Sequence, residues 1–168
     1  MMALETTYMT QLAYAQLITF VLTMMGGIII FIVSQIALKL VIEPVQQLKG
    51  AIGQTANTLL RYQAKITNVA TDEEVSAAVK GHAAELMSKA EVISGYRLAR
   101  RIFRLPSRVD IRSAAQELNL ISYSLLSAYT QHQQPFERPL NIFQLSADNS
   151  KALAKIGKLL KVSTSYSS

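Results

Sequence analysis

Residues Leu17 to Leu38 read LITFVLTMMGGIIIFIVSQIAL, and no charged side chain occurs between Glu5 and Lys39. A hydrocarbon core of about 30 Å takes about 20 residues of helix at a rise of 1.5 Å each, so this run is long enough to cross a bilayer. A secretory signal peptide would need a basic start, an apolar core of roughly 7 to 15 residues and an Ala-x-Ala-like cleavage site. Here the chain opens MMALETTYMTQLAYAQ and the apolar run leads straight into Lys39. A buried helix of a soluble protein rarely stays uncharged for so long. The expectation is a transmembrane helix over 17–42 behind an N-terminal segment, 1–16. That segment is apolar but dotted with Tyr8, Gln11, Tyr14 and Gln16, and suits an interfacial extension of the span or an insertable helix.

All 17 Lys and Arg lie at or after Lys39. The positive-inside rule then places the N-terminus outside and the C-terminal part in the cytoplasm. From Lys39 onward there are 17 basic and 10 acidic side chains, a net of +7. That balance favours anionic partners: nucleic acid, nucleotide or anionic lipid headgroups. The chain of 168 residues has no Cys, which excludes disulfide frameworks and cysteinyl metal or redox sites. Beyond the span, enough chain remains for one small domain.

Everything after the span reads as helix, so the predicted fold is all-α: the transmembrane helix, a helical stalk over 43–70, a small basic helical bundle over 71–162 and a frayed tail, 163–168. In the stalk Val45, Leu48, Ile52, Thr55, Leu59, Tyr62 and Ile66 recur at alternating steps of three and four, an a/d seam with Pro44 at its start. Val45, Leu48, Ile52, Leu59 and Ile66 are candidates for an oligomer seam; the same stripe equally suits packing on the chain's own later helices. Thr71 and Glu74 in TDEE form a capping box for the next helix. Its apolar face, Val75, Val79, Leu86, Ala90 and Ile93, continues with a drift after Gly95 through Leu98 and Ile102 to a stop near Pro106. Ser107 or Asp110 caps a third helix carrying Ile111, Ala114, Leu118, Ile121, Leu125 and Tyr129. QHQQPFERPLN is a loop, and Asp148 or Asn149 begins a last helix with Leu153, Ile156, Leu159 and Leu160 as its apolar side.

Two basic constellations stand out. In RLARRIFRLPSRVDIR, Arg97, Arg101 and Arg104 fall on one helical face with Arg100 beside them, and Arg108 and Arg112 follow across Pro106. Closely spaced guanidiniums repel one another unless an anion lies among them, and each offers phosphate a planar fork that lysine lacks. The competing explanation is a solvated face balanced by Glu91, Asp110 and Glu117. On the last helix Lys151, Lys155, Lys158 and Lys161 form a stripe opposite the apolar residues, suited to an anionic leaflet or a polyanion groove, or simply to solubility and the helix dipole.

Within the span Gln16, Thr19, Thr23, Gly26, Gly27, Ile30 and Ser34 share one stripe. Small and hydroxylated residues let helices pack closely, and in an oligomer they would line a pore closed by a ring at Ile28 to Ile30. Catalytic signals are poor. The two histidines, His82 and His132, fit no metalloprotease, phosphate-loop or nucleophile-elbow pattern, and His82 with Glu85 supplies too few ligands for a metal. Neither an enzyme nor a cofactor is expected.

The layout of apolar span, stalk opening EPVQQLKGAIG and small basic helical domain resembles the membrane effectors of bacterial anti-phage systems, in particular the effector of the Hailong system. The resemblance implies an oligomeric channel, a tetramer, crossing the bacterial inner membrane once per subunit and held inactive by single-stranded nucleic-acid oligomers, such as DNA, from a partner nucleotidyltransferase encoded nearby. It carries no motif that assigns ligand residues. The alternative is a non-conducting membrane anchor or scaffold whose helical domain docks a protein or nucleic acid.

Overall fold

The computed structural model describes residues 2–70, 72–133 and 141–166. Among these every element is helical: α1 Met2–Ala37, a π-helical turn Leu38–Ile42, α2 Glu43–Arg61, α3 Gln63–Thr67, α4 Glu73–Val92, α5 Tyr96–Phe103, α6 Arg108–Gln133 and α7 Ile142–Leu160. The chain forms two compact units, Met1–Leu40 and Val41–Ser168.

The first unit is the apolar helix α1, long and apolar enough to cross a membrane. From Leu17 to Ile36 its large apolar side chains are exposed, the surface that a bilayer would cover. Thr19, Thr23 and Ser34 donate back to the carbonyl oxygens of Ala15, Thr19 and Ile30 at 2.7–2.8 Å. Their hydroxyl protons are thus satisfied within the helix. The π turn ends where Pro44 enters the first turn of α2. Proline has no N–H to donate and its ring clashes with the carbonyl four residues back, so the helical register widens ahead of it.

The second unit is a bundle in which α4 packs between α2 and α6, and α6 packs on α7. Val45, Leu48, Ile52, Leu59 and Ile66 are all buried in the core with Val79, Leu86, Leu118, Ile121 and Ile156. Of the two packings open to the stripe, these contacts match the one on the chain's own later helices. α2 and α3, which fill the segment expected as a stalk, lie in the same compact unit as the later helices. Thr55, the polar interruption of the stripe, is buried with its hydroxyl donating to Ala51 O at 2.8 Å, so it carries no unmet hydrogen bond into the core.

Several helix ends differ from expectation. Asp72 caps α4, its carboxylate accepting from Val75 N at 3.1 Å; Thr71 lies outside the described residues. Lys65 at the end of α3 reaches the same carboxylate at 2.6 Å. These bonds, the lysine's first, hold Asp72 below its ordinary carboxylate range and raise Lys65. Gly95, with φ +64, breaks the chain between α4 and α5, a left-handed turn that glycine enters without steric cost. Ser107 and Asp110 cap α6 reciprocally, each side chain bonding the other's backbone N–H at 2.9–3.0 Å. α7 starts at Asn141, whose side chain accepts from Gln144 N at 3.2 Å, seven residues ahead of the expected Asp148. The loop expected from Gln131 to Asn141 begins later, because α6 runs to Gln133; residues 134–140 lie outside the described residues.

Polar clasps lock the helices in register. Ser76 and Ser122 donate to each other's carbonyl oxygens at 2.9 and 3.0 Å, joining α4 to α6 where small side chains allow close approach. Thr58 meets His82 Nε2 at 2.9 Å, and Glu85 lies 3.7 Å from the other ring nitrogen, so His82 ties α2 to α4. The tail is held by Thr164, which is buried and donates to Leu153 O at 2.7 Å, and by Tyr166, whose backbone N–H donates to Gln63 Oε1 at 3.1 Å.

Candidate anion-binding surface

The short helix α5 has three faces. Tyr96 and Ala99 turn inward, and the Tyr96 hydroxyl donates to Pro106 O at 2.8 Å, pinning the helix to the break that follows it. Arg97, Arg100, Arg101 and Arg104 are exposed along a second face, as residues three and four apart must be on a helix. Leu98 and Ile102 form a third face, which the sequence pattern assigned to the core. They are exposed instead, because the left-handed turn at Gly95 resets the helical phase and leaves only Tyr96, Ala99 and half-buried Phe103 facing inward.

The four arginines and Lys161 line an open concavity of about 480 Å³, floored by Leu105. Lys161 belongs by spacing to the lysine stripe of α7. It joins the arginines because it closes α7 in the left-handed region, at φ 60, with its N–H bonded to Gly157 O. Arg104 closes α5 in the same way, at φ 55, with its N–H on Arg100 O. A non-glycine residue in that conformation costs roughly 1–2 kcal/mol. The backbone thus holds two cations at one site in a conformation that glycine would adopt more readily. Among the described residues none of these five cations forms an ion pair. Asp110, the nearest acid in electrostatic effect, is held below its ordinary range chiefly by the hydrogen bonds of Ser107, with smaller contributions from Arg100 and Lys161.

The other predicted cations are not gathered here. Arg108 lies over the Tyr96 ring, 4.9 Å from its centroid, and reaches Ile93 O at 3.4 Å; it supports α5 and edges a neighbouring concavity. Burial raises the Tyr96 phenol, against the opposing charges of Arg108 and Arg100. Arg112, one turn further along α6, is exposed. Lys155 pairs with Glu117 at 2.5 Å and Lys151 lies 3.9 Å from Asp148, both beside an α6–α7 groove of mixed charge. Lys158 is exposed on α7 and lines none of these recesses. Among the described residues no three His, Asp or Glu side chains converge to hold a metal.

Compared with known protein families, curated proteins and solved structures, the chain matches none.

Proposed function

We propose that the protein is a membrane effector: α1 spans a bacterial inner membrane, and the helical domain, on the cytoplasmic side, binds a short oligoanion across Arg97, Arg100, Arg101, Arg104 and Lys161. The observation that carries this reading is the convergence of five cations, none of them ion-paired among the described residues, on one concavity. A single-stranded DNA or RNA oligomer made by a partner nucleotidyltransferase has the chemistry to fill it, since guanidinium forks match successive phosphates. The stripe from Gln16 to Ser34 is the surface left for self-association, as a tetramer or another small ring, and for gating an ion path. Affinity for a short single strand, measured on detergent-solubilised protein, should fall with salt at a log–log slope of about 0.7 per phosphate contact, near 3.5 for five contacts. Ion flux from proteoliposomes should change when the oligomer is added; salt-independent binding, or none at low salt, overturns the ligand.

A second reading, the non-conducting anchor or scaffold, is favoured by one observation. The heptad stripe is buried within the chain, and the hydroxyls of α1 satisfy themselves internally, so no described contact requires a second copy. Native mass in detergent separates the two: a monomer that binds the oligomer without conducting is the anchor.

A further inference from the structure

Leu98 and Ile102 stand one turn apart on α5, 67% and 62% exposed, and Val109 at the start of α6 is 73% exposed. Leu98 and Val109 share a second concavity, about 740 Å³, with Arg97, Arg100 and Arg108. A lone exposed aliphatic residue needs no explanation. Two of them in a concavity lined by three arginines, with Ile102 one turn along the helix from Leu98, form a surface that is apolar and cationic at once.

Nucleic acid uses such a surface poorly. Bases stack on aromatic faces, and the two rings of α5 are engaged already: Tyr96 is buried under Arg108, and Phe103 lies under Lys49, 5.9 Å from its centroid. Acyl chains use it well. Aliphatic side chains entering at headgroup depth, with arginine stems running beside them and guanidiniums on the lipid phosphates, are how amphipathic segments lie on an anionic leaflet.

We infer that Leu98, Ile102 and Val109, with Arg97, Arg100 and Arg108, form a docking surface for an anionic membrane leaflet. Seating it would occupy Arg97 and Arg100, so lipid and oligonucleotide would exclude one another. That competition, though not the docking itself, rests on the ligand reading given above.

The chain has no cysteine, so Leu98→Cys gives a single site for a fluorophore on the full-length protein. The labelled protein is placed in nanodiscs of phosphatidylcholine alone, or of phosphatidylcholine with phosphatidylglycerol, each carrying an acyl-chain spin label as quencher. Quenching several-fold stronger with phosphatidylglycerol, relieved by high salt and absent from a probe at Ser150→Cys, is the expected result. Equal quenching at the two positions, no quenching in either lipid, or disulfide cross-linking between copies of the unlabelled Leu98→Cys protein in the same nanodiscs would overturn the docking surface. A short single-stranded DNA should displace the probe from lipid; quenching that persists with the strand bound overturns the competition. Because strand binding is measured separately in detergent, its failure removes the ligand reading and leaves the docking result standing.

Discussion

Asn149 on α7 donates from its side-chain amide to the carbonyl oxygen of Ile66 at 2.9 Å, while its Oδ1 accepts from Ser124 on α6 at 2.8 Å. The residue is buried, and its side chain joins the end of α3 to two later helices. Replacing it by Ala or Leu removes both bonds and leaves the Ile66 carbonyl only the longer bond from Val69 N, at 3.3 Å, and the Ser124 hydroxyl only Ile121 O. Such a loss should lower stability by about 2 kcal/mol, read as a lowered midpoint in chemical denaturation. Ser124→Ala, which keeps the Asn149 bond to Ile66 O, should cost less.

The heptad stripe offers a second test. Leu48, Leu59 and Ile66 have essentially no exposed surface, so Leu59→Ala should destabilise the folded domain by roughly 2–5 kcal/mol. Charged replacements such as Leu48→Glu should abolish cooperative melting. An interface mutation would instead yield a folded protein of lower mass. Circular-dichroism melts alongside native mass spectrometry distinguish these outcomes, and a stable, smaller Leu48→Glu species would restore the seam between copies.

Stability and ligand affinity should move in opposite directions at the two left-handed cations. Arg104→Gly and Lys161→Gly each relieve a φ near 60° and should raise stability by about 1 kcal/mol. Each also removes one cation from the concavity, so affinity for a short single strand should fall and its salt dependence flatten by about one contact. Arg101→Glu combined with Arg104→Glu should abolish binding and leave the fold intact. If the ligand is inhibitory, that pair should also depolarise cells unprompted, as reported by a membrane-potential dye.

Asp72 supplies a pH dependence. Its carboxyl is held below the ordinary value of 3.8 by Lys65 and the cap bond from Val75. A depressed folded value means that the contribution is complete above the ordinary value and fades as pH falls through the lower folded one. Thermal midpoints recorded below about pH 4 should therefore drop less for Asp72→Asn, which keeps an N-cap acceptor but cannot ionise, than for the parent chain. An identical acid slope in both would assign the loss to other carboxylates.

Local chemistry was enough to read some of this protein from its residues alone. An uncharged run of this length is one long apolar helix, because backbone polar groups in hydrocarbon must bond within the segment. Steps of three and four are helical faces whatever covers them, which is why the all-α class and the inward face of Val75 to Ile93 could be read. The Ser107–Asp110 cap was legible for the same reason, since its bonds span three residues.

What covers a face was decided only in three dimensions. The stripe from Val45 to Ile66 has one spacing whether its partner is another chain or α4, and only the packing of α2 on α4 assigned it to the core. Asn149 resembled a helix start, yet it became a buried clasp once the helix began at Asn141. Lys161 lay in register with the lysines of α7 and left them through one backbone rotation, to meet arginines some sixty residues earlier in the chain. A helical repeat encodes direction around one axis, whereas a site built from two helix ends depends on how those axes pack, and that information is distributed over the whole core.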